Sequence, residues 1–232
     1  MNKVVKALVS IVLLLAIVGI SYKIVQSIQK PVKFNKEVKA REAVGIQRLK
    51  DIRDLQVAYK SANGKFASTM DSLLLFYNTG KMEVLMQVGS NDDSLAVAHT
   101  DAILKANKKN KMTAEDLYKL YLAGDKNLVF TVKNEIPVKD TLFRSRTDFI
   151  ADSLRYIPFS GKQETEMEAV VNKVSGVDVP LFEARMPYKK LLKGMDNQLR
   201  INLDAEKKDQ NRFEGLQVGS VTSPNNNAGN WE

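Results

Sequence analysis

The sequence has no cysteine, one histidine (His99) and one tryptophan (Trp231) in 232 residues. The lack of thiols excludes a disulfide framework, a thiol nucleophile, a zinc ribbon, a thiolate-bound cluster and lipoprotein processing, and a lone imidazole cannot form the paired ligands of most zinc sites. The sequence also lacks G-x-x-x-x-G-K-[ST], a G-x-G-x-x-G after a strand, and G-x-S-x-G, so there is neither a phosphate cradle nor a nucleophile elbow. Chemistry would fall to carboxylates, lysine or serine. No catalytic residue, cofactor or metal is expected.

Charge of one sign is in modest excess, 35 Lys plus Arg against 27 Asp plus Glu, a net +8. Nucleic-acid binding needs that excess clustered, with aromatic rings on which bases stack. The densest run, Lys105 to Lys111, contains no aromatic residue and reads as a solvated loop between two helices, so no nucleic-acid partner is expected. Glu164, Glu166 and Glu168 alternate, and on a strand they would share one face. That is the polar side of a half-buried strand. Asp92, Asp93, His99 and Asp101 fit neither a calcium loop nor a two-histidine helix motif. Asp93 reads as a helix cap and His99 as a surface or boundary residue.

There is one long hydrophobic run. Residues 7–20 carry twelve apolar residues interrupted only by Ser10 and Gly19, and Val4 and Val5 extend the run across Lys6. From Val4 to Tyr22 a helix is about 28 Å long, which matches a hydrocarbon core of about 30 Å. The run lacks a small-x-small cleavage pair, and Ile24, Val25 and Ile28 continue at helical spacing, so an uncleaved signal anchor over 1–22 is expected. The positive-inside count (Lys3 and Lys6 before, six basic residues from Lys23 to Arg41 after) places the residues beyond the run in the cytoplasm. The short leader joined directly to an apolar core is the shape of an exporting bacterial signal anchor. The expectation adopted is a single-pass protein of a bacterial inner membrane with its main domain in the periplasm.

Pro31 is expected to kink or end the membrane helix, within a helical stalk over 23–62. Ile46, Leu49, Ile52, Leu55 and Tyr59 step by three, three, three and four residues and form an apolar stripe. Such a stripe serves either as the packing face against the chain's own domain or as a helix contact with another subunit, and these five residues are candidate interaction residues. The stem before Ile46 reads as charged and exposed. Asn63-Gly64 closes the helix, and Ser68 with Asp71 starts a short helix whose apolar face is Leu73, Leu74, Phe76 and Tyr77.

The passage LQVAYKSANGKFASTMDSLLLFY resembles the type IV pilin and type II secretion pseudopilin family through Leu55, Tyr59, Asn63, Gly64, Phe66, Asp71 and Leu73, and the likeness covers about residues 4–80. The prepilin-peptidase motif is absent: Gly19 precedes Ile20 deep in the apolar run, and the first acidic residue is Glu37. The resemblance implies a pilin-shaped, membrane-tethered subunit. Its partners would be the membrane, other envelope or secretion-system proteins, and further copies of itself.

Beyond the stalk, residues 63–127 are expected to be helical, with helices near 94–106 and 114–123, the latter capped by Thr113 and Asp116. Residues 128–222 read as a β-rich or α+β domain of four to six strands, in which LVFTV, FIADSLRYIPF, ETEMEAVVNKV, VDVPLFEARM and QLRINLD alternate apolar and polar residues. Residues 223–232 read as a flexible tail in which Trp231 is either a docking anchor or packed on its own domain. The expected fold class is α+β. The expected role is a non-enzymatic structural or assembly subunit of a secretion or pilus-like system. The alternatives are an alignment or scaffold subunit of an inner-membrane platform, or an envelope enzyme working with carboxylates.

Overall fold

A computed structural model describes residues 3–108, 111–174 and 176–232, with side chains from Ile11 onward. The side chains of Val4, Val5, Lys6 and Ser10, and Lys109 in the lysine run, lie outside the described residues. The fold is α+β. A helix, α1 (Lys3–Asn63), is followed by α2 (Met70–Thr79), β1 (Lys81–Val88), α3 (Ser94–Ala106), α4 (Ala114–Leu122), β2 (Phe130–Pro137) and α5 (Val138–Thr141). A 3-10 turn at Ala151–Arg155 leads to β3 (Glu166–Val174), β4 (Val177–Pro187), α6 (Tyr188–Leu191), α7 (Asn197–Asp209) and β5 (Gly215–Gly219). These elements form two compact units, one holding the chain up to Asp54 together with Ser68–Met70 and Ile150–Glu232, the other holding Leu55–Ala67 and Asp71–Phe149.

Of the two outcomes expected at Pro31, a kink or an end, the end does not occur: α1 runs on through Pro31 to Asn63. Proline removes the hydrogen bond to the carbonyl four residues earlier, here that of Ser27, which lies on a fully exposed stretch of helix. In the first unit the buried face of α1 begins earlier than expected. Phe34 and Val38 are 7% and 6% exposed, Gly45 is buried, and Leu49 and Ile52 are at 0%, so the stem before Ile46 is not simply a charged, exposed rod. At Gly45 the face meets Leu216 of β5 and Leu191 of α6, and in the antiparallel sheet β3-β4-β5 Phe182, Ala184, Met186, Leu216 and Val218 are also buried. Gly45 lies close to both elements: a Cβ there would lie 2.7 Å from Leu216 Cδ1 and 3.6 Å from Leu191.

Two segments read as strands are helical. FIADSLRYIPF forms the 3-10 turn with a single bridge from Tyr156 to Glu164, and QLRINLD lies in α7, capped by Asp196 accepting from the Leu199 N–H at 3.0 Å. The tail is not loose. Val218 bridges Gly229, the Gly219 N–H donates to the Ala228 carbonyl and the Asn230 N–H to the Gln217 carbonyl, each at 3.0 Å, so the last residues cover the free edge of β5.

The second unit departs from the all-helical expectation for 63–127 because β1 is a strand. It pairs antiparallel with β2, Lys81 opposite Pro137 through Val88 opposite Phe130. Met82, Val84, Met86 and Val88 face inward, and Val88, Leu117, Leu128, Phe130 and Val132 form a buried cluster under α4. Helices α3 and α4 fall where their caps placed them. Asp93 accepts from the N–H groups of Leu95 and Ala96, and Thr113 with Asp116 makes a reciprocal capping box.

Candidate membrane anchor and interaction surfaces

The described helix holds one segment long and apolar enough to cross a membrane, beginning at Ile11, with a mean hydropathy of 2.1 in its most apolar window. Nothing among the described residues covers it. Leu13, Leu14, Leu15, Ile17, Val18 and Ile20 are all 57–64% exposed, and it is their contiguity, not the exposure of any one of them, that marks a membrane or protein-contact surface.

Below that segment the first unit is fastened to α1 by polar contacts as well as packing. Arg41 donates through Nη1 to the carbonyls of Leu191 at 3.3 Å and Lys193 at 2.9 Å, satisfying the end of α6, and its guanidinium lies 4.8 Å from the centre of the Phe159 ring. Arg48 donates to the Tyr156 carbonyl, and burial lowers its pKa against the opposing pull of Asp51. The Tyr188 hydroxyl, 2% exposed as a residue, donates to Glu42 Oε1 at 2.5 Å, and burial, then that bond, push its pKa far up. Lys30 pairs with Asp196 at 2.9 Å and Arg53 with Glu232 at 2.6 Å. The sequence reading missed this set, since each partner lies more than a hundred residues away and no local pattern announces it.

The candidate interaction residues divide by burial. Leu49 and Ile52 are wholly buried within the first unit, and Leu55 within the second, so in the folded chain they offer no surface to a partner. Ile46 and Tyr59 are half-buried, Tyr59 with its ring edge-on to Phe76 at 5.1 Å. Trp231 is half-buried over Gly229, where a Cβ would fall 2.3 Å from the indole. Its Nε1 is buried without a hydrogen-bond partner among the described residues. Trp231 therefore packs on its own unit as part of the tail. Asn230 holds that tail through its side chain, Nδ2 donating to the Gly215 carbonyl at 2.9 Å and Oδ1 accepting from the Gln217 N–H at 3.2 Å. Asn230→Ala is expected to cost about 1–2 kcal/mol and to speed amide exchange at Gln217, measured by hydrogen exchange and mass spectrometry.

The carboxylate run is not one face of three. Glu164 precedes β3, while Glu166 and Glu168 share a face with Glu183 and Arg185 of β4. Glu183 is 6% exposed and satisfied by Arg185 Nε at 3.1 Å and Gln217 Nε2 at 3.0 Å, and Glu166 is held by Lys190 at 2.8 Å. These are internal ion pairs. His99 pairs with Asp125 at 2.9 Å, and the described residues hold no group of three potential metal ligands.

Several carboxyls have pKa values below the ordinary range. In Asp116 the Thr113 backbone N–H is the chief cause, in Asp125 the hydrogen bond with His99, in Asp196 the Leu199 N–H followed by Lys30, and in Glu232 the hydrogen bond from Arg53. Depressed carboxyls contribute stability that is present above their unfolded pKa and lost as pH falls through the folded values. Asp54 and Asp204, raised first by burial, have the opposite sign and act above the ordinary range. Melting of the detergent-solubilised chain should therefore hold near neutrality and fall below about pH 4. The double variant Asp116→Asn, Asp196→Asn should shrink that fall, and an unchanged acid limb would refute the assignment.

No protein-family model matches the chain, no curated protein is similar to it, and no solved structure matches its fold.

Proposed function

We propose that the chain is a non-enzymatic, single-pass envelope protein of a bacterial inner membrane, with a pilin-like exported part that serves as a structural or assembly subunit of a secretion or pilus-like system. The observation that carries the reading is the division of labour along one helix. Its first part is apolar and uncovered, and its later part, unbroken through Pro31, supplies the buried face of an α+β unit. A helix of this kind couples a bilayer to a folded domain without a flexible linker, an arrangement suited to holding a domain at a set distance from the membrane. The polar fastening of Arg41, Glu42 and Arg48 favours a fixed presentation over a tethered, freely moving one.

The test combines topology and company. Protease added to intact spheroplasts should digest the part after Lys23, and crosslinking in membranes before detergent extraction should recover other envelope proteins or further copies of the chain. Protection until the membrane is permeabilised would overturn the exported orientation. Recovery of the chain alone, uncrosslinked, would overturn the assembly role.

A further inference from the structure

The two-stranded sheet of the second unit leaves a long edge open. Strand β1 pairs with β2 along all eight of its residues, without a bulge, and has no second strand beside it. Alternate residues of an antiparallel strand turn their N–H and C=O groups away from the partner, and on the outer side of β1 those groups meet no hydrogen-bond partner among the described residues. An open edge is a template for another strand unless proline, a bulge or lysines within the strand blunt it. β1 has none of these, since its one lysine, Lys81, is its first residue. β2, by contrast, carries Lys133 at its middle and ends in Pro137, which has no N–H, and the edge of β5 is covered by the chain's own tail.

The side chains identify the occupant. Lys81, Glu83, Leu85 and Gln87 are exposed on one face of β1, Leu85 at 68%, while Met82, Val84 and Met86 are half-buried and Val88 buried on the other. A second copy of β1, laid antiparallel about a two-fold axis perpendicular to the sheet, keeps each face on its own side. With the axis at Leu85, Leu85 meets Leu85, Glu83 meets Gln87, Met82 meets Val88 and Val84 meets Met86. Every pair is then apolar against apolar or a carboxylate against an amide that can donate to it. The neighbouring registers lose this match: an axis at Glu83 opposes the two carboxylates, one at Val84 sets Glu83 against Leu85, and one at Met86 sets Leu85 against Gln87. Glu83 is balanced within its own copy by Lys133 at 3.0 Å and Lys81 by Glu135 at 3.1 Å, so the face brings no net charge to the seam.

We propose that β1 is a self-association edge, through which two copies of the chain join antiparallel about Leu85 into one four-stranded sheet of order β2-β1-β1-β2. A two-fold contact of one edge with its own copy closes at the dimer. The apolar run lies in the first unit, so this inference goes beyond the anchor reading and does not depend on it.

The absence of cysteine makes the test clean. The full chain carrying Leu85→Cys, Glu83→Cys or Gln87→Cys, and a mixture of the last two, is oxidised with copper phenanthroline in native membranes, and disulfide dimers are read on a non-reducing gel. In the proposed register the two Leu85 Cα atoms lie about 4.5–5.5 Å apart, within reach of a disulfide, whereas the two copies of Glu83, or of Gln87, are offset by about 13 Å along the seam. Leu85→Cys should therefore crosslink at least about tenfold faster than Glu83→Cys or Gln87→Cys alone, and the mixture should crosslink far faster than either of its parts. In the Leu85→Cys background, Gln87→Glu sets like charges opposite each other and should slow crosslinking about fivefold, while Gln87→Lys, opposite Glu83, should speed it. Both substitutions are at an exposed position, so neither disturbs the unit's core. Five results overturn the proposal: no dimer of Leu85→Cys, equal crosslinking of Glu83→Cys alone, a mixture no better than its parts, the same direction of change for glutamate and lysine at position 87, or a Leu85→Cys product joined to a different protein, which would assign the edge to that protein's strand.

Discussion

Ile52→Asp is expected to abolish the stable fold of the first unit, lowering its unfolding free energy by more than about 4 kcal/mol. Ile52 has no exposed surface, and its neighbours on the same face, Leu49 and Gly45, are buried with it, Gly45 beside Leu216 of β5 and Leu191 of α6. A carboxylate there would lose its hydration without a partner, one of the few mechanisms that exceed the usual range of about 0.5–3 kcal/mol for a point change. Leu49→Ala, which only opens a cavity, should cost about 2–5 kcal/mol. The control lies on the same helix. Val44 is 42% exposed, so Val44→Asp carries only a difference in helix propensity, a few tenths of a kcal/mol. Urea unfolding of the detergent-solubilised chain, monitored by Trp231 fluorescence, reads all three, because Trp231 belongs to this unit. An unchanged midpoint for Ile52→Asp would mean that the helix face is not the unit's core in solution.

The part of this arrangement legible in the sequence was the part governed by near neighbours. The stripe from Leu49 to Leu55 keeps a helical period, and Asp93 and Thr113 announce their helices within three residues. What escaped was set by distant partners or by a pattern too short to discriminate. KMEVLMQV alternates except at Leu85, where Val84-Leu85-Met86 breaks the period, and it lies between two well-signalled helices with its partner Phe130–Pro137 about 50 residues away. QLRINLD alternates over seven residues by accident, while the thirteen residues of α7, capped by Asp196, fit a helix better. Phe34 and Val38 were hidden because Gly45, which lies beside Leu216 on the same face, contributes no side chain to the stripe.

The candidate site divides in the same way. The apolar run is visible from composition alone. The fastening of Arg41 to the end of α6, of Glu42 to Tyr188 and of Arg53 to the last residue could be found only once the chain had brought them together. The polar, asparagine-rich tail looked loose because its residues favour turns. Those same asparagines supply the short side-chain amides that copy main-chain hydrogen bonds, and Asn230 uses both ends of its amide to do so.

Gln56→Leu is expected to destabilise the second unit by about 2–5 kcal/mol, although the two side chains are close in volume. Gln56 has no exposed surface, and its amide makes a reciprocal pair of bonds with one residue, Nε2 donating to the Ala67 carbonyl at 2.8 Å and Oε1 accepting from the Ala67 N–H at 2.9 Å. Ala67 is 2% exposed and comes directly after Phe66, 5% exposed, in the turn that leaves α1 beyond Asn63-Gly64. The glutamine therefore takes the place of a missing strand partner for a buried stretch of irregular backbone. Leucine would leave a buried N–H and a buried carbonyl unpaired, each at about 1–3 kcal/mol. Gln56→Glu should be nearly as damaging, because a carboxylate restores the acceptor for the N–H but faces the Ala67 carbonyl with no proton to give. Hydrogen exchange at the Ala67 amide reports the break directly: slow in the native chain, and faster by more than about tenfold in both variants. A slow Ala67 amide in Gln56→Leu, with an unchanged melt, would show that packing of Phe66 alone holds the turn and that the glutamine amide is dispensable.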